Sequence, residues 1–372
     1  MRVAILGAGG TIAPAIVRDL ADSEEVSAMR LLDVDLRRAE EVAMEHGGGK
    51  AQARQADATR DLAEQLEGME VLVNSAAYRI NLAAMGACLE AGCHYMDLGG
   101  LYHVTAEQLK LSPKFEQRGL LALLGIGSAP GKTNLLAARA ARELTGAPTS
   151  ISVLAAGRDL DPPEGASFPY AVQTLLDEIT MPPMALIDGK ARELEPLQPG
   201  PTAEFGDPIG EGETIFTLHS EVLTFGDSFG AQNVTFALSL SPKVLESLKE
   251  LRGASEERIA EVARSASPPS ANTVSVHIVE MTGEDNTIRA RSVTPPHESW
   301  GLGGGIVSTA TPAAAAVRLF ARGSIERRGA LPPESCIDPD EMFAELEGRG
   351  IRFDFASGPA EASDPLASKV GR

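Results

Sequence analysis

Gly7, Gly9 and Gly10 follow directly on the apolar run Val3-Ala4-Ile5-Leu6, and Asp33 closes a second apolar run, Met29–Leu32, 24 residues after Gly9. Residue types at this spacing suit one kind of chemistry. Backbone N–H groups at a helix start attract a pyrophosphate, and a side chain at Gly7 or Gly9 would block the turn or the approach. A carboxylate ending the next strand accepts both hydroxyls of a ribose, usually roughly 20 residues on. Between the two runs Ile12, Ala15, Ile16 and Leu20 recur at helical spacing. Strand, turn, helix, strand, acid is the order a dinucleotide site needs. Gly7, Gly9, Gly10, Thr11, Ile12 and Asp33 are therefore the candidate cofactor-binding residues; the alternative is a βαβ unit that binds another phosphate or none. Ile12 stands where a third glycine is usual, so the helix–strand contact is expected to be wider, or shifted by one residue.

The elements around this grip follow from pattern. Over the first 126 residues, strand-like runs (Ala51–Asp57, Glu70–Asn74, Cys93–Leu98, Leu120–Ile126) alternate with the helical runs Ala58–Leu66 and Asn81–Ala91, the latter closed by Gly92. Six strands with helical crossovers predict an α/β fold, a doubly wound parallel sheet of Rossmann type. A helix Asn134–Leu144 follows Pro130. From about Ser150 the runs Ile151–Ala155, Glu213–Leu218, Asn233–Leu240, Thr273–Val279 and Thr287–Val293 lie between Pro-rich turns. They predict an inserted α/β substrate domain on a mainly antiparallel sheet. The expected division is 1–130 plus about 306–355 for the dinucleotide domain, 131–305 for the insertion and 356–372 for a loose tail. Gly301–Gly305 reads as a hinge, and Thr311–Arg322 as an amphipathic helix following Pro312 and returning to the first domain.

Composition excludes several function classes. A net charge of −19 over 372 residues argues against nucleic acid or an anionic membrane as partner. Cys88, Cys93 and Cys336 lack CxxC spacing and are odd in number, so neither disulfides nor a zinc site is expected, and a reducing, cytoplasmic setting fits. No signal peptide is read at the amino end, and no run approaches the roughly 18 apolar residues of a membrane span.

The segments HYMDLGG, GIGSAPGKTNLLA and RRGALPPESCIDPDEMFAELEGRGI, together with DATRDLAEQLEGMEVLVNSA and LLDEITMPPMALIDGKARELEPL, resemble the saccharopine dehydrogenase-like family. That group includes saccharopine reductases, lysine 6-dehydrogenases and carboxynorspermidine synthases. The resemblance implies a Rossmann domain, an inserted substrate domain that often makes a homodimer, and NAD(P)-dependent hydride transfer at a carbon–nitrogen bond of an amino-acid-like substrate. It also implies that Asp57, with Ala58 beside it, accepts from the adenine amino group; the competing reading makes Asp57 a helix N-cap. Val34 replaces the arginine common in NADP-preferring relatives. A lone carboxylate at Asp33 repels a 2′-phosphate, so NAD is the expected cofactor, with Arg37 and Arg38 leaving NADP open.

Such chemistry needs a group to trade the nitrogen's proton and charged residues to hold the substrate. In an open α/β sheet these lie beyond the carboxyl ends of strands. Asp97 sits at such an end, before Gly99. Tyr95 shares its face by strand period and His94 points the other way. Asp97 is the candidate acid/base or ammonium anchor, with Tyr95 and His94 as further catalytic candidates; the alternatives are an Asp97 that caps the Gly99-Gly100 turn and a hydrogen-bonded core histidine. Asn74, Ser75 and Ala76 are expected beside the nicotinamide ribose. Thr133 and Asn134 are substrate candidates at a helix start, with Lys132 solvated. Arg158 is a candidate carboxylate clamp, and His219 with Glu221 would line the substrate cleft from one strand face, Ile215–Leu223.

Two rival classes stand beside this. Gly131-Lys132-Thr133 resembles a phosphate loop, but Ile126 occupies its required first glycine and Pro130 removes a nest N–H. A non-catalytic dinucleotide-binding sensor or partner protein is the other alternative.

Overall fold

The computed structural model describes residues 1–360 and Leu366. The chain forms two compact units: Met1–Leu135 with Ser308–Leu346, and Leu136–Val307 with the residues from Glu347 onward. In chain order the strands are β1 (Arg2–Leu6), β2 (Ala28–Asp33), β3 (Ala51–Gln55), β4 (Val71–Asn74), β5 (His94–Asp97), β6 (Leu121–Leu123), β7 (Ser150–Asp159), β8 (Met184–Ile187) and β9 (Lys190–Glu193). They continue with β10 (Ala203–Glu204), β11 (Glu211–Gly212), β12 (Ile215–Phe216), β13 (Asn233–Ser239), β14 (Thr273–Thr282), β15 (Asn286–Thr294), β16 (Gly329–Leu331) and β17 (Arg352–Pro359).

The first unit holds a seven-stranded sheet in the order β16-β6-β5-β4-β1-β2-β3, with every pairing parallel. Its central strands read as continuous apolar runs because both faces are covered. Val3, Ala4 and Ile5 are all fully buried despite alternating sides. On one face Ala4, Leu6, Leu72, Tyr95 and Ala122 pack against Met85 and Cys88 of the helix Asn81–Ala91 and against Phe115. The Rossmann-like expectation holds, with β16 added as a seventh strand. The helix Gly304–Ala321 returns to this sheet's unit from Ser308 onward. Its buried Arg318 bonds Asp19 at 3.0 Å and Glu345 at 2.7 Å, joining three helices through one guanidinium.

The second unit's main sheet runs β17-β15-β14-β7-β13-β8-β9, with β12 also paired to β13. It is mixed: β7 and β13 run parallel, in register from Ser150–Asn233 to Ala156–Ser239, while its other strands pair antiparallel, so the mainly antiparallel sheet expected holds in part. Leu154, Ala156, Phe216, Ala237, Val276 and Val293 build the core on one face. Strand β17 pairs with β15 along its length. Residues 352–355 therefore belong to the second sheet, and Ala356–Pro359 is strand where loose chain was expected. The rest of that expected tail, 361–365 and 367–372, lies outside the described residues.

Three local expectations change. Gly304 and Gly305 open the helix Gly304–Ala321 instead of forming a hinge. A Cβ on Gly304 would stand 2.1 Å from the Thr294 carbonyl oxygen, so glycine serves close approach there. Pro312 lies inside that helix, not ahead of it. The helix after Asp57 is only Leu62–Gln65.

Candidate functional site

The turn after β1 is built by backbone. Gly7 has φ +77°, and its N–H and that of Ala8 both reach the Leu32 carbonyl of β2, at 2.8 and 3.1 Å. A Cβ on Gly7 would lie 2.8 Å from Ala76, in the turn after β4. The Gly9 N–H donates to Asp33 Oδ2 at 2.8 Å, and Asp33 Oδ1 accepts from Asp35 N at 2.9 Å. The next helix, Ala13–Ala21, has Ile12 at its cap with no side-chain cap bond. Ala13, fully buried, takes the small-residue position, so the helix contact is shifted by one residue. Gly10 and Thr11 are exposed at the lip. A turn that excludes side chains, a bare helix start and a carboxylate with lone pairs to spare fit a dinucleotide. Arg38 flanks it: a Cβ on Gly9 would stand 2.6 Å from the Arg38 Cβ. Asp57 accepts from the N–H and hydroxyl of Thr59 at 2.9 and 2.7 Å, which hold its carboxyl below the usual range. It forms a turn ahead of Ala58 rather than capping the helix, whose cap is Asp61.

The carboxyl ends of β4, β5 and β6 are tied together by one buried polar network. Asp97 is 1% exposed and accepts four N–H bonds: from Gly99 at 3.0 Å, Gly125 at 2.7 Å, Gln108 Nε2 at 2.7 Å and Asn81 Nδ2 at 3.1 Å. Burial raises its carboxyl pKa, with these donors opposing. Asn74 Nδ2 donates to Asn81 Oδ1 at 2.9 Å and to the Tyr95 hydroxyl at 3.3 Å, and Asn74 Oδ1 accepts from Ala76 N. The Ser75 hydroxyl returns to the Leu6 carbonyl. Tyr95 is fully buried, and burial followed by the Asp97 charge pushes its hydroxyl pKa up. The Gly99-Gly100 capping expected as the alternative for Asp97 is present in the Gly99 bond. Asn81 and Gln108 are missed by sequence reasoning; the only signal is a polar residue opening the helix Asn81–Ala91.

His94 stands at the other end of β5, opposite Val71. Its Nδ1 accepts from Leu121 N at 2.9 Å and its ring meets Phe320 edge-on. Burial and Arg328 hold it down to about 4, so it is neutral near pH 7. Half-buried, it makes the hydrogen bond that the alternative reading expected.

Lys132 corrects an expectation. It is fully buried, not solvated, and its Nζ donates to Ser308 Oγ at 2.7 Å. Burial lowers its pKa to about 7. Thr133 is buried beside it, and Asn134 spends its side chain within the fold, accepting from Gly131 N at 2.7 Å and donating to Glu334 at 2.8 Å.

In the second unit the structure separates the predicted substrate residues. Arg158 lies on the core face of β7, with its guanidinium on Ser239 O at 3.0 Å and Ser239 Oγ at 2.7 Å. His219 belongs to the opposite face, stacked on Phe236 at 3.6 Å. His219 and Glu221 do meet, at 3.6 Å, but not through a shared strand: β12 ends at Phe216 and Glu221 opens the helix Glu221–Phe229. Glu178, from the helix Val172–Thr180, joins them at 3.9 Å and is also missed from sequence.

Among the described residues, no group of three or more His, Cys, Asp or Glu side chains is placed to hold a metal ion. Among them, no helix is long and apolar enough to cross a membrane.

Comparison with known proteins agrees with the first unit's geometry. Residues 3–123 match the family model described as the saccharopine dehydrogenase NADP binding domain. A carboxyaminopropylagmatine dehydrogenase of Synechocystis is 30% identical over 149 residues. That match spans 37% of this chain and 37% of the enzyme. The apo saccharopine dehydrogenase (L-Glu forming) of Saccharomyces cerevisiae superimposes with a TM-score of 0.71 at 16% identity, covering 96% of this chain and 99% of that one. The resemblance drawn from the motifs, to the saccharopine dehydrogenase-like family, is borne out.

Proposed function

We propose that the chain is an NAD(P)-dependent oxidoreductase that transfers hydride at a carbon–nitrogen bond of an amino-acid or polyamine-type substrate. The observation that carries this is the turn at Gly7–Gly10, closed to side chains and fastened to Asp33 through the Gly9 N–H. The nicotinamide ring supplies the hydride acceptor or donor when bound. Gly7, Gly9, Gly10, Thr11 and Ile12 would meet the pyrophosphate with backbone groups, and Asp33 would accept the ribose hydroxyls. Asn74, Ser75, Ala76 and Gly99 border the nicotinamide end. Asp97, with its four N–H donors, acts as a positioning residue for the loops that carry Gly99 and Gly125. The Asp33 carboxylate favours NAD, while Arg38 beside Gly9 supports acceptance of a 2′-phosphate. The curated relative's name supports a polyamine-type substrate.

The test is to add NAD or NADP with lysine, saccharopine and diamines and follow the reduced-nicotinamide absorbance. Turnover on any amine supports the oxidoreductase; cofactor binding without turnover on all of them turns the reading into a dinucleotide-binding sensor. Asp33→Ala should weaken NAD binding about tenfold, the loss of hydrogen bonds to a charged group, and relax discrimination against NADP. Unchanged NAD affinity by titration would remove Asp33 from the ribose.

A further inference from the structure

The loop after β6 carries a cation into the interior of the first unit. Residues 124–131 fold back on themselves. Gly127 N donates to the Pro130 carbonyl at 2.9 Å, and Lys132 N and Thr133 N donate to the carbonyls of Gly127 and Ser128 at 3.0 and 3.2 Å. Pro130 is wedged against the ends of two strands. A Cβ on Gly99 would stand 2.8 Å from its Cγ, and one on Gly125 2.6 Å. These are the two glycines fastened to Asp97. Lys132, two residues on, opens the helix Lys132–Ala141 beside the carboxyl ends of β5 and β6. Its side chain is fully buried and gives Nζ to Ser308 Oγ at 2.7 Å. Ser308 is itself fully buried, on the helix Gly304–Ala321, in the same unit.

Burying an ammonium is costly, and an apolar side chain of the same reach would fill the space without that cost. The Ser308 hydroxyl is a neutral acceptor, so this bond places the ammonium without cancelling its charge. The charged and titratable groups on the elements around it are Asp97 and Tyr95 of β5 and Glu334, which accepts from Asn134. Further along its own helix stands Arg139, bonded to Glu143, and further along the helix Gly304–Ala321 stands Arg318, bonded to Asp19 and Glu345. Residues 124–131 add no charge. A buried charge acts through a low-dielectric interior without touching its target. Burial lowers the Lys132 pKa to about 7, so this charge comes and goes near neutral pH.

We propose that the buried Lys132 ammonium biases the nicotinamide end of the cofactor site, so that the chain holds the reduced, neutral ring more tightly than the oxidised, cationic one. The ribose and pyrophosphate are the same in both forms; only the ring differs in charge. A cation held beside the carboxyl ends of β5 and β6 works against one form and leaves the other alone. The inference rests on the dinucleotide reading above and deepens it. Lys132 acts through its field and is given no contact with substrate. The sign of the pH dependence follows by linkage. A cationic ring bound nearby favours the neutral amine, so affinity for the oxidised form is lowest where Lys132 is protonated and rises as pH passes upward through about 7. Affinity for the reduced form stays level.

Calorimetric titration of the full chain with NAD+, NADH and ADP-ribose between pH 6 and 8.5 tests it. NAD+ affinity should rise about three- to tenfold over that range, the size of one charge–charge interaction across an interior of intermediate dielectric. NADH and ADP-ribose, which lack the cationic ring, should stay level. Lys132→Met puts an apolar chain of similar reach in place of the amine; it should abolish the rise and bring NAD+ affinity at pH 6 up to the parent's value at pH 8.5. Lys132→Arg keeps the charge at every pH and should hold NAD+ affinity low throughout. The comparison of three ligands on the parent chain needs no variant, so a substitution that does not fold leaves the test standing. Level NAD+ affinity, a rise shared equally by ADP-ribose, or a rise that survives in folded Lys132→Met overturns the proposal. ADP-ribose binding with level NAD+ affinity sinks this inference and spares the dinucleotide reading; binding of none of the three sinks both.

Discussion

Asp97 shows what a single side chain does at the carboxyl end of an internal strand of the first sheet. Its two oxygens take N–H bonds from Gly99, Gly125, Gln108 and Asn81 while it is 1% exposed. An amide there would turn its NH2 against donors. Asp97→Asn should therefore cost about 2–4 kcal/mol of folding stability, the range for unpairing buried polar groups. Turnover should fall as the two glycine loops lose their common anchor, and cofactor affinity should fall less. A urea midpoint within experimental error of the parent chain would refute the anchoring role. The residue type and its place at the strand end were legible in the sequence. Its partners were not, because Asn81 and Gln108 reach it from helices whose rotation no local pattern fixes.

At the scale of elements, the βαβ opening was readable because buried parallel strands leave apolar runs and the turn admits only glycine. Strand β16, three residues long, carries no periodic signal. The helices Val172–Thr180 and Glu221–Phe229 bring Glu178 and Glu221 together. Their buried faces hold acidic as well as apolar residues, which blurs the helical period. Buried Glu221 and exposed Glu213 look alike in a sequence. His94 joins β5 to the start of β6 through Leu121 N, and this pairing has a pH signature. The imidazole stands at about 4 in the fold against an ordinary 6.5. The unfolded chain thus takes up the proton first. The bond contributes in full above pH 6.5 and is lost progressively as pH falls towards 4. Thermal denaturation between pH 7 and 4.5 should show a steeper loss for the parent chain than for His94→Gln, which keeps an acceptor without the titration. Parallel curves would mean that His94 does not hold Leu121 as a neutral ring.

For the molecule as a whole, a formal charge of −19 sets a background field. Self-repulsion destabilises a compact anion and is screened beyond about 10 Å at 0.1 M salt. Raising sodium chloride from 0.01 to 0.15 M should raise the melting temperature by about a few degrees, the shift expected for roughly 1 kcal/mol; a fall would show that exposed attractive pairs such as Arg258 with Glu261 dominate the balance.

Between the parallel strands β7 and β13 the chain makes one long excursion from Asp159 to Asn233, adding β8, β9 and β12 to the same sheet on the way. Tyr170, Glu178, His219 and Glu221 all ride on that one excursion. Because β8 and β12 are partners of β13, a lineage or an engineer could exchange the helices Val172–Thr180 and Glu221–Phe229 piecemeal but not the whole excursion, and the amino-terminal glycine turn would be untouched.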